Sequence, residues 1–260
     1  MTTLLVTGGT GTLGRAVVGR LLAGGHDVRS LSRHPHTGTG PTHPRSHAVD
    51  LRDGTGLAEA VAGVDTVVHC ASAPTGDAEA AGRLIAAARR AGVRHLVFIS
   101  IVGVDRIPLG YYRAKLAVER LVAESGIGWT VLRATQFHDL LLGMVKAGAR
   151  SPVVPVPSGI RFQPVDADEV ADTLAELALA GPAGRVADMG GPEVLTADEV
   201  VRATLAAGGR RRLLLPVWLP GGTAAALRRG ENLTPEHADG RRRYAEFLAA
   251  RANGAARPAS

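Results

Sequence analysis

A glycine cluster that follows the first apolar run constrains this chain more than any other stretch. Three glycines after that run have the spacing Gly-x-Gly-x-x-Gly, and an amphipathic segment begins beyond them. Glycine accepts the positive φ of a sharp turn, and its missing Cβ lets a pyrophosphate approach the backbone. The order strand, glycine turn, helix therefore predicts a dinucleotide site at the amino end of the first helix. The residues expected to bind the cofactor here are Gly8, Gly9, Thr10, Gly11, Thr12, Leu13 and Gly14.

Apolar runs alternate with helical patterns through the first two thirds of the 260 residues, which predicts βαβ units and a parallel sheet. The predicted strands are about Thr3–Thr7, Asp27–Leu31, His47–Val49, Thr66–Cys70, His95–Ser100 and Thr130–Leu132. The predicted helices lie near Leu13–Ala23, Gly56–Ala62, Asp77–Ala91, Tyr111–Glu124 and Gln136–Lys146. The predicted fold is α/β, a Rossmann-type doubly wound parallel sheet with a small C-terminal α/β lobe.

A proline-rich loop after residue 150 marks a change of composition and a predicted lobe boundary. We predict a dinucleotide-binding domain over residues 1–150, a smaller substrate-binding lobe over 151–252 interleaved with the main sheet, and a flexible tail over 253–260. In the lobe, Asp166 is expected to cap a helix, and Thr196 with Glu199 predicts a capping box.

Composition argues against several classes of protein. No apolar run reaches the roughly 18 residues that a membrane helix needs, and the chain enters its first strand without a signal sequence. The single cysteine, Cys70, suits a reducing compartment, so we expect a cytoplasmic protein. The runs Arg210–Arg212 and Arg241–Arg243 lack interleaved aromatic residues, so we interpret them as solvated faces. The expected partner is a small molecule, with neither nucleic acid nor membrane involved.

The end of the second predicted strand indicates which dinucleotide binds. An NAD site usually carries an acidic residue about 20 residues beyond the glycine turn, on the ribose 2′-hydroxyl. Here that position carries no carboxylate, and Arg33 is placed to pair with a 2′-phosphate. The sequence therefore favours NADP over NAD, and the alternative is that Arg33 is an ordinary surface arginine.

Further residues are expected near the cofactor at the ends of the next strands. Asp50 and Leu51 follow the third strand, where a carboxylate would accept from the adenine amino group; alternatively, Asp50 only caps its turn. Small residues after the fourth strand leave room for a cofactor to cross the sheet edge; they are Ala71, Ser72 and Ala73. The nearby histidines His34, His36, His43 and His47 lack regular ligand spacing, so no metal site is predicted.

Tyr111 and Lys115 are the candidate chemical groups. They stand at i and i+4 of a predicted helix, about 6 Å apart along its axis, and therefore share a face. A lysine ammonium beside a phenol lowers the phenol's pKa and is able to hold the nicotinamide ribose. Tyr111 would then donate a proton to a carbonyl oxygen that Ser100 orients. The alternative is that Tyr111 and Tyr112 pack in the core while Lys115 is solvated.

With these residues assembled, the chain resembles the short-chain dehydrogenase/reductase superfamily, in its atypical branch of NmrA-like and NAD(P)-dependent epimerase-dehydratase-like members. The resemblance covers about residues 1–200; it rests on the glycine turn, Tyr111-x-x-x-Lys115 and supporting motifs at strand ends. It implies that Tyr111 and Lys115 are the catalytic pair and that Ala134, Thr135 and Gln136 lie near the nicotinamide. Because tyrosine placement is loose in this branch, Tyr112 could replace Tyr111.

The aromatic residues all lie at or after Phe98, in the part of the chain expected to meet substrate. Candidates for the pocket wall are Phe137, His138, Met189 and Trp218, unless they fill the core. We expect an NADP(H)-dependent oxidoreductase that transfers hydride to a carbonyl or conjugated double bond of a small apolar or aromatic substrate, such as a quinone or a polyketide-like ketone. The alternatives are a non-catalytic NmrA-like cofactor sensor and a redox-neutral epimerase, dehydratase or cyclase that retains its NAD(P).

Overall fold

A computed structural model of the chain describes residues 2–33, 40, 43–72 and 75–255. The chain divides into two compact units. The first comprises residues 1–100, 110–133 and 170–187, and the second comprises 101–109, 134–169 and 188–260. These units do not follow the boundary at residue 150 that the proline-rich loop suggests, and the functional lobes 1–150 and 151–252 stay a prediction.

Strands and helices alternate along the chain as the apolar pattern predicts. The strands are β1 (Thr3–Thr7), β2 (Asp27–Ser32), β3 (Arg45–Ala48), β4 (Thr66–His69), β5 (His95–Ile101), β6 (Gly128–Ala134), β7 (Val153–Pro157), β8 (Arg161–Phe162), β9 (Gly184–Arg185), β10 (Leu195–Thr196) and β11 (Leu213–Val217). The helices are α1 (Thr12–Ala23), α2 (Leu57–Val61), α3 (Asp77–Arg90), α4 (Gly110–Ala123), α5 (His138–Gly148), α6 (Ala167–Ala180), α7 (Ala197–Ala207), α8 (Gly222–Arg228) and α9 (Tyr244–Ala255), with a 3₁₀ turn at Pro235–His237.

The first unit is built on a seven-stranded, mostly parallel sheet in the order β3-β2-β1-β4-β5-β6-β9. β1 pairs with β2 on one side and with β4 on the other, so the chain reverses its direction across the sheet at β1. In a doubly wound sheet, the carboxyl ends of strands at such a switch point border the ligand crevice. The predicted Rossmann-type fold is confirmed, and it directs attention to the ends of β1 and β4.

Helix packing on the sheet forms the core of the first unit. Its strands contribute buried apolar side chains, and α2, α3 and α4 cover them. β4 is buried along its whole length, as the non-alternating Val-rich sequence predicts for a strand covered on both faces.

The proline-rich segment after residue 150 is the main local difference from the sequence prediction. It contains β7, which pairs in parallel with β11 in the second unit. Proline lacks the N–H that a central strand requires, so its presence in the sequence argued for a loop. A two-stranded sheet leaves one edge of each strand without a strand partner, and proline is tolerated there. At the chain end, α9 continues through residues 253–255, the first part of the predicted tail.

Two predicted helix caps are present in the second unit. The Thr196 side chain accepts from the Glu199 N–H at the start of α7, and the Glu199 carboxylate accepts from the Thr196 N–H. Asp166 precedes α6, and its Oδ1 accepts from the Asp168 N–H at 2.8 Å. Its other oxygen, Oδ2, lies 2.8 Å from the Arg242 guanidinium and 3.7 Å from His138 Nδ1.

Asp166 is the shared partner in this cluster, and Asp166→Asn should lower the free energy of unfolding by about 2 kcal/mol at pH 7, the usual cost of losing hydrogen bonds to a charged group when the partner, here Arg242, is partly exposed. Burial disfavours its charge, but His138, the Asp168 N–H and Arg242 outweigh burial and lower its pKa from 3.8 to about 2. Because the folded-state pKa is depressed, this stabilisation is complete above pH 4 and is lost as the pH falls toward 2.

Urea unfolding of wild type and variant between pH 2 and pH 7 measures this effect. The exposed Asp198, which pairs with Arg202 at i and i+4, provides the control. Asp198→Asn should change stability by no more than about 0.5 kcal/mol. A wild-type-like urea midpoint for Asp166→Asn at pH 7 would show that the cluster contributes no net stability.

Candidate dinucleotide-binding and catalytic site

The glycine turn connects β1 to α1 by a path that only glycine permits. Gly8 has a φ of 67°, and its N–H donates to the Leu31 carbonyl on β2 at 2.8 Å. A Cβ at Gly8 would lie 2.8 Å from Ala71 Cα, well inside the separation of about 3.5–4.0 Å of a relaxed carbon contact. The turn therefore packs backbone against backbone with the segment that follows β4.

Two further glycines bring α1 close to the sheet. A Cβ at Gly9 would lie 2.2 Å from Ser30 Oγ, and one at Gly14 would lie 2.2 Å from the Gly8 carbonyl oxygen. Gly14 therefore has the close-packing role that the motif predicts. Gly11 is exposed, and its N–H donates to the Gly8 carbonyl at 2.9 Å, which closes the turn.

The amino end of α1 has the properties of an anion site. Its N-cap residue, Gly11, provides no side-chain cap, and the first turn contains no acidic residue. The first N–H groups of a helix lack intrahelical partners, and the helix dipole makes this end positive. The turn thus fits the pyrophosphate of a dinucleotide, which would approach an uncapped helix end across glycines without side chains.

Arg33 and Asp50 lie at the ends of neighbouring strands. Arg33 is exposed, one residue beyond β2. Asp50 lies beyond β3 and forms an ion pair with Arg52 at 2.8 Å, which lowers the pKa of the Asp50 carboxyl to about 2. Asp50 also accepts from the Arg52 backbone N–H, so it holds its own turn, as the alternative interpretation states. Leu51 is buried.

The end of β4 is joined to the end of β1 by a buried polar contact. Thr7 Oγ1 lies 2.7 Å from His69 Nδ1 and accepts from the Ala71 N–H at 3.2 Å. Burial, with a smaller contribution from the Lys115 charge, lowers the pKa of His69 to about 3, so the imidazole is neutral. Ser72 follows and is exposed, whereas Ala73 lies outside the described residues.

Tyr111 and Lys115 meet two residues from outside their own helix. The Tyr111 hydroxyl lies 3.0 Å from Ser72 Oγ, and Ser72 Oγ donates to Asp77 Oδ2 at 3.0 Å. Lys115 Nζ lies 3.9 Å from the same Asp77 oxygen and 5.9 Å from the centre of the Tyr111 ring. Lys115 is 3% exposed and Asp77 is 7% exposed, whereas Tyr111 is 37% exposed and Ser72 is also exposed, so the two hydroxyl-bearing residues reach solvent and the two charged ones do not.

The electrostatics of this group differ from the sequence prediction. Burial raises the pKa of Tyr111 and the negative charge of Asp77 acts in the same direction, whereas the hydrogen bond with Ser72 lowers that pKa. The net lowering of the Tyr111 pKa that the sequence predicts is therefore wrong, because burial outweighs the groups that favour the phenolate. Burial lowers the pKa of Lys115, while Asp77 opposes that effect.

Ser100, the predicted third member, does not join this group. Its side chain is 2% exposed, and its hydroxyl has no hydrogen-bond partner within the described parts of the chain. Ser72 instead contacts the Tyr111 hydroxyl. Tyr112 is buried and meets the Tyr111 ring edge-on at 6.4 Å, so the exposed phenol of the two is that of Tyr111.

Asp77 is the residue that sequence reasoning missed. In the sequence it is only the first residue of a predicted helix, where an acidic residue is common for reasons of capping and dipole. Its burial and its contacts with α4 arise from the packing of α3 against α4. The one available signal was its place shortly after the small residues that end β4.

The segment after β6 belongs to the second unit and is held by backbone pairing. Ala134 forms a parallel bridge with Met189, and the Thr135 N–H donates to the Met189 carbonyl at 3.0 Å. Both Thr135 and Gln136 are buried, and the Thr135 hydroxyl donates to the Gln163 carbonyl. Their predicted role beside the nicotinamide stays a prediction.

The four residues proposed for a pocket wall have different surroundings. His138 is fully buried between Tyr244 and Phe247, where its Nε2 lies 3.1 Å from the Pro164 carbonyl. A side chain without exposed surface has no face open to a substrate, so His138 takes the core role given as the alternative. Met189 is also buried and Phe137 is half-buried, whereas Trp218 is 66% exposed beneath the Arg228 guanidinium.

No group of three or more His, Cys, Asp or Glu that would hold a metal ion occurs among residues 2–33, 40, 43–72 and 75–255. His34 and His36 fall outside those ranges. Within them, helices long and apolar enough to cross a bilayer are also lacking.

Comparisons with known proteins agree with the glycine turn. Residues 8–180 match the family model described as NAD(P)H-binding. The chain is 34% identical over 207 residues to the (4-alkanoyl-5-oxo-2,5-dihydrofuran-3-yl)methyl phosphate reductase of Streptomyces griseus, covering 75% of this chain and 70% of that protein. It is 28% identical over 214 residues to the NAD(P)H azoreductase of Xenophilus azovorans, covering 80% and 74%.

A solved structure supports the fold. The NADPH-dependent quinone oxidoreductase of Escherichia coli, complexed with NADPH, superimposes with a TM-score of 0.78 at 21% identity, covering 95% of this chain and 99% of that one. The expected resemblance is thereby confirmed. The chain belongs to the NAD(P)H-binding family.

Proposed function

We propose that this protein is an NADP(H)-dependent reductase of a carbonyl or conjugated double bond in a small apolar or aromatic substrate, such as a quinone or a polyketide-like ketone. The observation that carries the proposal is the position of the Tyr111 phenol. Its partner Ser72 follows Ala71, whose backbone packs against Gly8 of the turn. The Tyr111 hydroxyl, a proton donor, is thus connected through Ser72 and Ala71 to the glycine turn, at the carboxyl edge of the sheet.

In the proposed reaction the cofactor and the residues of this site have separate roles. NADPH, when bound, supplies the hydride. Tyr111 donates its phenolic proton to the substrate oxygen, and its raised pKa keeps it protonated at neutral pH. The buried Lys115 ammonium stabilises the negative charge left on Tyr111 after the transfer.

The named relatives support a redox reaction over the alternatives. The Streptomyces griseus and Xenophilus azovorans proteins are both reductases by name, and each shares most of its length with this chain. This chain has an exposed phenol, hydrogen-bonded to Ser72, beside a buried ammonium. A protein that only senses the cofactor has no need of such a proton donor. A quinone is suggested as substrate because the fold resembles that of the Escherichia coli quinone oxidoreductase.

An assay of NADPH oxidation tests the function. Quinones, azo dyes, enones and aromatic ketones are incubated with the protein and NADPH, with NADH in parallel, while absorbance at the reduced nicotinamide band is followed. We expect substrate-dependent oxidation by at least one of these classes. If NADPH binds at micromolar concentration and every class leaves it unoxidised, the reductase proposal fails. Cofactor that copurifies and resists dialysis would favour the redox-neutral alternative.

Arg33 carries the proposed preference for NADP. Arg33→Ala should raise the Kd for NADPH by about 10- to 100-fold, the loss of charge-assisted hydrogen bonds worth about 1.5–3 kcal/mol, and should leave the Kd for NADH nearly unchanged. Fluorescence titration with both dinucleotides measures the two constants. Arg90→Ala, at the exposed end of α3, is the matched control. An equal loss for NADPH and NADH would refute the preference.

A further inference from the structure

Ser72 has two partners and one proton, and this fixes the direction of a hydrogen-bond chain. Its Oγ lies 3.0 Å from both Asp77 Oδ2 and the Tyr111 hydroxyl. A carboxylate only accepts hydrogen bonds, so the Ser72 proton points to Asp77. Ser72 must then accept from Tyr111. The hydrogen-bond chain therefore runs from the Tyr111 O–H to Ser72 and from Ser72 to the Asp77 carboxylate.

Two positively charged features of the fold lie beside the Asp77 side chain. Asp77 is the first residue of α3, where the helix dipole is positive. The Lys115 ammonium on α4 lies 3.9 Å away. Both side chains are buried, and Asp77 is the main counter-charge of Lys115.

We propose that Asp77 is a positioning residue for the reduction, which acts through Ser72 to orient the Tyr111 hydroxyl and through its ion pair to hold Lys115 beside the phenol. This inference rests on the proposed function for its catalytic meaning. The arrangement it describes belongs to the protein without cofactor and is open to test without turnover.

Within the described part of the chain, the charged groups recorded near the phenol are Asp77 and Lys115. Asp77 raises the pKa of Tyr111 from α3, and the Lys115 ammonium on α4 lies 5.9 Å from the centre of the Tyr111 ring. Cys70 and His69, at the end of β4, interact with Lys115, and burial holds both of them neutral. Removing the charge of Asp77 should therefore affect the phenol more than any other single change of charge in this group.

Asp77→Asn removes the charge and keeps the shape, since the amide oxygen still accepts from Ser72. The phenol should lose its proton about one pH unit lower than in wild type, because a nearby negative charge has gone and Lys115 acts on the phenolate unopposed. The alkaline limb of kcat/KM against pH should move down by the same amount. At neutral pH, kcat should fall by about 10-fold, less than the 10²-fold or more expected for loss of the general acid itself, while KM changes little.

Ultraviolet titration of the protein without cofactor gives a readout independent of activity. The chain has three tyrosines, and the component missing in Tyr111→Phe belongs to Tyr111. That component should shift down in Asp77→Asn. Glu79→Gln removes an exposed charge from the same first turn of α3 and should leave the pH at which the Tyr111 component titrates unchanged. An unshifted Tyr111 component in folded Asp77→Asn would overturn the proposal, even if activity fell, because a merely structural role moves no titration.

Ser72→Ala covers the case in which Asp77→Asn does not fold. Because the hydrogen bond with Ser72 lowers the pKa of Tyr111, its loss should raise the pH at which the phenol titrates. An unshifted Tyr111 component in Ser72→Ala would show that Ser72 does not link Asp77 to the phenol, and the proposal would be wrong. Failure of the proposed function is a separate outcome. In that case the wild-type protein oxidises no NADPH with any substrate, while the titrations of the variants still behave as described.

Discussion

Replacing Tyr111 with phenylalanine is expected to lower kcat for NADPH-dependent reduction by about 10²-fold or more, the usual contribution of a general acid. The substitution removes only the hydroxyl that contacts Ser72, so the ring keeps its packing and KM should change little. Steady-state kinetics with the best substrate of the panel, at saturating NADPH, measures both constants.

Tyr112→Phe is the matched control for this experiment. Tyr112 follows Tyr111 in the first turn of α4 but is buried, with its ring edge-on to Tyr111. Its loss of a hydroxyl should leave kcat within about twofold of wild type if only Tyr111 acts as the acid. Full activity in Tyr111→Phe together with a large loss in Tyr112→Phe would move the acid by one residue. Full activity in both would remove the proton-donor role from this helix.

Gly14→Ala is expected to have the second large effect, on the binding of the cofactor. The new Cβ would lie 2.2 Å from the Gly8 carbonyl oxygen and 2.8 Å from its carbon, both backbone atoms of the turn. Either the turn or the start of α1 must move, and the N–H groups that we expect to face the phosphates would move with it. We expect the Kd for NADPH to rise by about 10²-fold, equal to about 2.7 kcal/mol, and the free energy of unfolding to fall by about 1–3 kcal/mol, as for other overpacked sites.

Gly19→Ala provides the control on the same helix. Gly19 is exposed, and a Cβ there would meet nothing within 4 Å. Because alanine favours helix over glycine, the variant should gain about 1 kcal/mol of stability and bind NADPH as wild type does. Calorimetric titration with NADPH and urea unfolding separate the two effects. Wild-type affinity in Gly14→Ala would show that the turn does not position the phosphates.

Much of the fold could be predicted from local patterns. The apolar runs that became β1, β4 and β5 are buried on both faces, so their sequences carry no polar alternation to obscure them. The capping box at Thr196 and Glu199 is likewise a short-range arrangement, readable from four consecutive residues. β7 was missed because proline disfavours a strand by the local rule, and only pairing with β11 outweighs that rule.

The candidate site was predicted in part. The glycine turn and the pair Tyr111 and Lys115 are each defined by spacing within one turn or one helix, which the sequence displays directly. Ser72 and Asp77 are separated from Tyr111 in the sequence by 39 and 34 positions, and no local rule joins them. Likewise, the sequence around His138 does not indicate whether its side chain lies in the core or lines a pocket. Its burial against Tyr244 and Phe247 in the structure places it in the core.

By itself, the sequence determined the family of fold and the class of cofactor, because strand, glycine turn and helix are contiguous and their geometry follows from the residues present. Only the tertiary structure decided which hydroxyl meets the Tyr111 phenol and whether that phenol gains or loses its proton readily. Those properties depend on distances and burial, which arise when α3 and α4 pack over the ends of the strands. A pKa is set by the charges that surround a group in space, and the order of residues along the chain does not specify them.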